Sequence, residues 1–112
     1  MTTGKPFSVT GDYSAAQTNT ELVAAPATDQ RIVITSVFAN TAGAGTFKLL
    51  NGSGGAVKWG TVSLPNTSSA NATFDPGISL TKKTALCLTT NYAGAHCITV
   101  TGYIVGRNAL VN

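Results

Sequence analysis

The chain predicts an all-β domain, a sandwich or barrel built from about eight short antiparallel strands. Three observations carry that reading. Apolar and polar residues alternate in one stretch after another, turn-forming residues separate the stretches at regular intervals, and no segment repeats with the 3.6-residue period of an amphipathic helix.

Each element follows in order. Residues 1–20, MTTGKPFSVTGDYSAAQTNT, are polar and poorly periodic apart from the brief strand candidate PFSVT (6–10), so they read as an N-terminal arm ahead of a β-sandwich domain over 21–112. TELVAA (20–25) is another short candidate, and RIVITSVFAN (31–40) is rich in β-branched residues. GTFKLL (45–50) and AVKWGTVSL (56–64) alternate around Phe47, Leu49, Val57, Trp59 and Val62. The NGSGG between them reads as a hairpin turn, because a phosphate-cradling loop would need a helix start after it. NATFD (71–75) follows the turn LPNTSSAN, and Asp75-Pro76-Gly77 reads as a tight reversal. TALCLTT (84–90) and HCITVTGYIV (96–105), joined by NYAG, read as a closing hairpin. In-phase residues give an expected core of Ile32, Ile34, Phe47, Leu49, Trp59, Leu86, Leu88, Ile98 and Val100.

Composition bounds the function. A chain of 112 residues supports one core. Hydrophobic residues make up 43%, which excludes a disordered chain, but charged residues make up only 10%, so the surface must be threonine, serine, asparagine and glycine. Lys5, Arg31, Lys48, Lys58, Lys82, Lys83 and Arg107 are scattered, with none of the basic clustering and aromatic interleaving of a nucleic-acid binder. No run approaches the ~18 apolar residues of a membrane span, and the first residues lack a signal peptide's apolar centre. The expectation is cytosolic synthesis with no export by the usual route, and no membrane or nucleic-acid partner.

Cys87, His96 and Cys97 are the natural candidates for chemistry. A closed zinc site needs about four ligands, and the chain holds three cysteine and histidine residues in all. A Cys-His nucleophile pair needs hydrogen-bond reach, and neighbours along a strand face apart. At a strand end His96 reads as a surface or rim residue. In the closing hairpin Leu86, Leu88, Ile98, Val100 and Ile104 would face inward, with Cys87 and Cys97 opposed on the other face. Two alternatives stay open for that pair: a structural disulfide, expected in a mature particle outside the cell, or two reduced thiols acting as small hydrophobes. Asp12, Glu21, Asp29 and Asp75 are isolated, with no paired acids for hydrolysis. No catalytic, metal-binding or cofactor-binding residue is expected, and the chain is not read as an enzyme.

The order of features adds a resemblance. LVAAPATDQRIVITSVFANTAGAGTFKLL, AVKWGTVSLPN and FDPGISLTKKTALCLTTNYAGAHCITVTGYIV, spanning roughly residues 21–105, resemble small structural proteins of tailed bacteriophages that fold as jelly rolls, most of all capsid decoration or cement proteins. The resemblance implies a single jelly-roll-like antiparallel β-sandwich on the virion surface, binding the major capsid protein of the shell as a homotrimer. It lies in core positions and carries over no binding motif. Lys5, Pro6 and Phe7 are the arm residues expected to contact the capsid. A head-fibre or tail-fibre tip binding host glycan, or a stand-alone carbohydrate-binding module, is the alternative, and would need an exposed aromatic platform.

Overall fold

Alternation of side chains makes each predicted stretch a strand with one face to bury, and the computed structural model, which describes residues 5–106, shows eight. They are β1 (Lys5–Tyr13), β2 (Thr20–Val23), β3 (Gln30–Thr41), β4 (Gly45–Asn51), β5 (Val57–Leu64), β6 (Ser68–Ser79), β7 (Leu86–Thr90) and β8 (His96–Gly106). Two four-stranded sheets, β1-β8-β3-β6 and β2-β7-β4-β5, face one another with every pair antiparallel. Four of the pairs, β1 with β8, β2 with β7, β3 with β6 and β4 with β5, belong to one long hairpin whose apex is the β4–β5 turn. Rolling that hairpin up places successive pairs in alternate sheets. The result is a jelly roll.

The core lies between the sheets. Ile32, Ile34, Phe47, Leu49, Leu86, Leu88, Ile98 and Val100 are fully buried, as the alternation predicts, and Val37, Ala39, Leu64 and Leu80 join them. Each large aliphatic or aromatic side chain so buried contributes about 1.5–3 kcal/mol. Trp59 departs from the expectation. Register shifts around Leu49 and Leu50 leave it only partly buried against the core edge, while Val57, expected in phase with it, is 45% exposed.

Three further expectations change. Residues 5–13 are not an arm: they form edge strand β1, paired along its whole length with β8. The first four residues of the expected arm, and the domain's last six including Arg107, lie outside the described residues. Asp75-Pro76-Gly77 does not reverse the chain but lies within β6, where the pairing with β3 is interrupted between Thr73 and Ile78. NYAG does not close a hairpin either, because it carries the chain from β7 in one sheet to β8 in the other. Local alternation specifies strands but not their partners, and here the partners of β8 are the distant β1 and β3. NGSGG is the hairpin turn expected, with Gly52 and Gly54 at positive φ.

One irregularity organises the larger sheet. In β3 the buried residues change parity, from Ile32 and Ile34 to Val37 and Ala39, because Thr35 is an extra residue between Ile34, opposite Gly102, and Ser36, opposite Thr101. This β-bulge keeps both halves of the strand facing the core. It also presses the β3 backbone onto β8, so that a Cβ at Gly102 would stand 2.0 Å from the Val33 carbonyl oxygen. Replacing Gly102 with alanine should destabilise the protein by about 2 kcal/mol or more, in the range of core overpacking. A chemical denaturation midpoint equal to that of the wild type would contradict this crowding.

Candidate functional site

Strand direction sorts the loops between the two ends of the sandwich. The β1–β2, β3–β4, β5–β6 and β7–β8 connections (14–19, 42–44, 65–67 and 91–95) gather at the end where His96 lies. Their sequences, SAAQTN, AGA, PNT and NYAGA, hold no charged residue, and Asp12 and Glu21 stand at the adjoining strand ends. The opposite end carries Asp29, Lys82 and Lys83 in its loops, with Lys5 and Arg31 at the adjoining strand ends.

His96 organises the charge-free end. Far from being a rim residue, it is 3% exposed, enclosed by the rings of Tyr13, Phe47 and Tyr92 at centroid distances of 5.6, 5.7 and 6.0 Å. Its Nδ1 lies 2.7 Å from the Gly94 carbonyl oxygen, which can only accept, so Nδ1 carries the proton. In the neutral ring Nε2 then accepts from the Thr90 hydroxyl at 2.9 Å, and that hydroxyl in turn accepts from the Gln17 backbone N–H at 3.0 Å. The network ties the β1–β2 and β7–β8 loops to the core. Burial also pushes the Tyr13 phenol above its usual value. Tyr92 fills the space that glycines leave: a Cβ at Gly43 or Gly94 would come within 2.4 or 2.6 Å of its side chain. The histidine is therefore a structural keystone.

The two cysteines are not brought together. Cys87, between inward-facing Leu86 and Leu88, points to the outer side of one sheet. Cys97, next to inward-facing Ile98, points to the outer side of the other. Stacked sheets lie about 10 Å apart, beyond the ~7 Å Cα separation that a disulfide spans. The pairing expected from a β7–β8 hairpin fails because that hairpin does not exist, and both thiols are free. Cys87 is nonetheless 2% exposed. The β4–β5 turn folds back over its strand, from the Gly52 N–H bond to Ala85 O at 2.9 Å to the Gly54 N–H bond to Asn19 Oδ1 at 2.9 Å. Burial pushes the Cys87 thiol up, and Glu21 opposite it adds to the rise. Cys97 is half-buried and donates to Asn40 Oδ1 at 3.1 Å.

Of the expected contact residues, Lys5 and Pro6 are exposed at the start of β1, but Phe7 faces inward and packs against the core. They sit in an edge strand and present no free segment. Sequence reasoning missed the outer face of the β1-β8-β3-β6 sheet. Ser8, Thr101, Ser36 and Thr73 form one row of hydroxyls across all four strands. The next row is Thr10, Thr99, Phe38 and Asn71, with the Thr10 and Thr99 hydroxyls 2.9 Å apart. Phe38 is 41% exposed, and Tyr103, on the same face of β8, is 40% exposed. Next to Tyr103 this face dips into a depression of about 370 Å³, floored by Val33 and Val105 and rimmed by Asp29, Arg31, Ser79 and Lys82. The TVT and TDQR segments behind these features were legible, but which residues share a face depends on the pairing and on the bulge.

No protein-family model matches the chain, and no curated protein matches it. Among solved structures, a protein from work on Bacillus endospore appendages, described there as a family of disulfide-linked pili, is similar at 21% identity and a TM-score of 0.48, covering 92% of this chain and 90% of that one. The coat protein of Tobacco streak virus is similar at 11% identity and a TM-score of 0.37, covering 96% and 94%. Both superpose loosely, and neither likeness bears on what this chain does.

Two outcomes test the site. At neutral pH a maleimide should label Cys97 in the folded protein and Cys87 only in denaturant, because a buried thiol with a raised pKa offers little thiolate. Equal labelling of both, or no labelling of either in denaturant without reductant, would refute the arrangement. Thr90→Val should lower stability by about 1–3 kcal/mol, since it strands the Gln17 N–H and His96 Nε2, and thermal melting would register the loss.

Proposed function

We propose that this chain is a non-enzymatic structural protein of a virion, a decoration protein that braces the outside of a tailed-phage capsid. The observation that carries the reading is the charge-free end. Loops exposed to water are ordinarily studded with charge, whereas four converge here with none. Burying these loops against a partner desolvates no ion within them. The His96 network and the glycine-seated Tyr92 hold the loops in fixed positions, so little conformational freedom is lost on contact.

In this reading the partner is the major capsid protein, met at the charge-free end, and the basic end faces outward. The contact passes from the arm to the loops, because β1 is committed to the sheet. Assembly as a homotrimer matches the local threefold positions of an icosahedral shell, and three linked weak contacts gain by effective concentration. The protein is made in the host cytoplasm and acts on the particle, without cofactor, nucleic acid or membrane.

Cosedimentation with empty expanded capsids of the encoding phage tests the proposal. Wild-type protein should pellet with the shells and should be trimeric by light scattering at micromolar concentration. Ala15→Glu and Ala93→Glu, which place charge on exposed loop positions, should abolish pelleting while leaving the melting temperature within a few degrees of the wild type. A monomer that fails to pellet would rule the reading out, as would undiminished pelleting of both variants.

A further inference from the structure

The basic end, which the decoration reading leaves facing outward, carries the depression beside Tyr103. Val33 and Val105 form an apolar floor, half-buried and therefore available to a ligand. Arg31 and Lys82 rim the depression against the single carboxylate of Asp29, which leaves one positive charge in excess. A guanidinium is suited to gripping a carboxylate through two parallel hydrogen bonds. Tyr103 stands beside Val33 in the same cross-strand row and offers an exposed ring at the edge of the depression.

The surface leading away from the depression narrows the ligand further. Between Tyr103 and Phe38 lie the hydroxyls of Thr101, Ser36 and Thr99, with no charged side chain among them. Tyr103 lies four residue steps along β8 from Thr99, the cross-strand neighbour of Phe38, so the two exposed rings stand about 13 Å apart along the strand direction at ~3.3 Å per residue. Two flat apolar rings joined by a field of hydroxyl donors and acceptors match the alternating apolar faces and hydroxyl edges of a sugar chain. An acidic peptide would be served by the cations alone and would gain little from uncharged hydroxyl rows.

The geometry points to a site for a carboxylate-bearing glycan: one uronic-acid-type residue seated in the depression with its carboxylate on Arg31 and Lys82, and the chain running over Tyr103 toward Phe38. Nothing in it depends on capsid attachment, and its test uses the free protein.

Isothermal titration calorimetry with a galacturonate hexamer should give saturable binding. A neutral maltohexaose and a hexaglutamate peptide should each bind about tenfold more weakly or not at all, since one loses the charge-assisted contact and the other the ring and hydroxyl contacts. Arg31→Ala should weaken hexamer binding by about tenfold. Phe38→Ala should weaken the hexamer but leave a galacturonate dimer unaffected, which a mere loss of folding would not do. Both variants should retain the wild-type melting temperature. No binding of the hexamer would overturn the proposal. Hexaglutamate bound as tightly would reduce the site to an acidic-peptide or bulk-charge contact and also overturn it, as would equal binding by Arg31→Ala.

Discussion

A single surplus residue, Thr35, decides which way the centre of the larger sheet faces. Strict alternation through QRIVITSVFANT would bury Ile32 and Ile34 and then turn Val37 and Ala39 to water. The bulge resets the phase, so four apolar side chains face the core from one strand. The same reset sends Ser36 and Phe38 outward, which aligns the hydroxyl row with Thr101 and Thr73 and leaves an aromatic ring on the surface. It also requires a residue without a side chain opposite, and Gly102 supplies it. Core, outer face and glycine position thus depend on one insertion.

The sequence made the strands legible because alternation is a local signal. Ile32, Ile34, Phe47 and Leu49 announce their burial within a few residues of chain, and so do Leu86, Leu88, Ile98 and Val100. Partnership is not local. TALCLTT and HCITVTGYIV look like a hairpin because a short glycine-containing turn joins them, yet in a jelly roll consecutive strands can enter different sheets. From that one misreading follows the misplaced cysteine pair, whereas His96 reads as a rim residue only because it opens its strand. The arm was misread for a related reason: PFSVTGDY carries a weak pattern because an edge strand buries little, with only Phe7, Val9 and Tyr13 packed inward. The absence of charge from SAAQTN, AGA, PNT and NYAGA was visible throughout, but these segments gain meaning only when the topology gathers them at one end.

With the loops sorted, low overall charge becomes a distribution. Neutral loops at one end are fixed by a buried histidine and a seated tyrosine, and cations crowd the other. A molecule built this way has a defined polarity along its strands, and the two proposals assign it: a dry, rigid contact inward and a ligand-accessible surface outward. Each can fail without the other.

The position of β8 also has a consequence during synthesis. It leaves the ribosome after the other seven described strands and yet lies between β1 and β3, so the larger sheet has no continuous hydrogen-bonded path until it arrives. The smaller sheet, by contrast, has all its strands once β7 has emerged. A nascent chain therefore holds β1 without its partner until β8 has emerged, and the Thr10–Thr99 contact closes across 89 residues. Chains dominated by such distant pairings fold slowly, because loop closure must come before the contacts that reward it. The larger sheet is accordingly completed only after β8 is available, and a chain truncated before His96 retains the apolar inner faces of both sheets with only one sheet able to assemble.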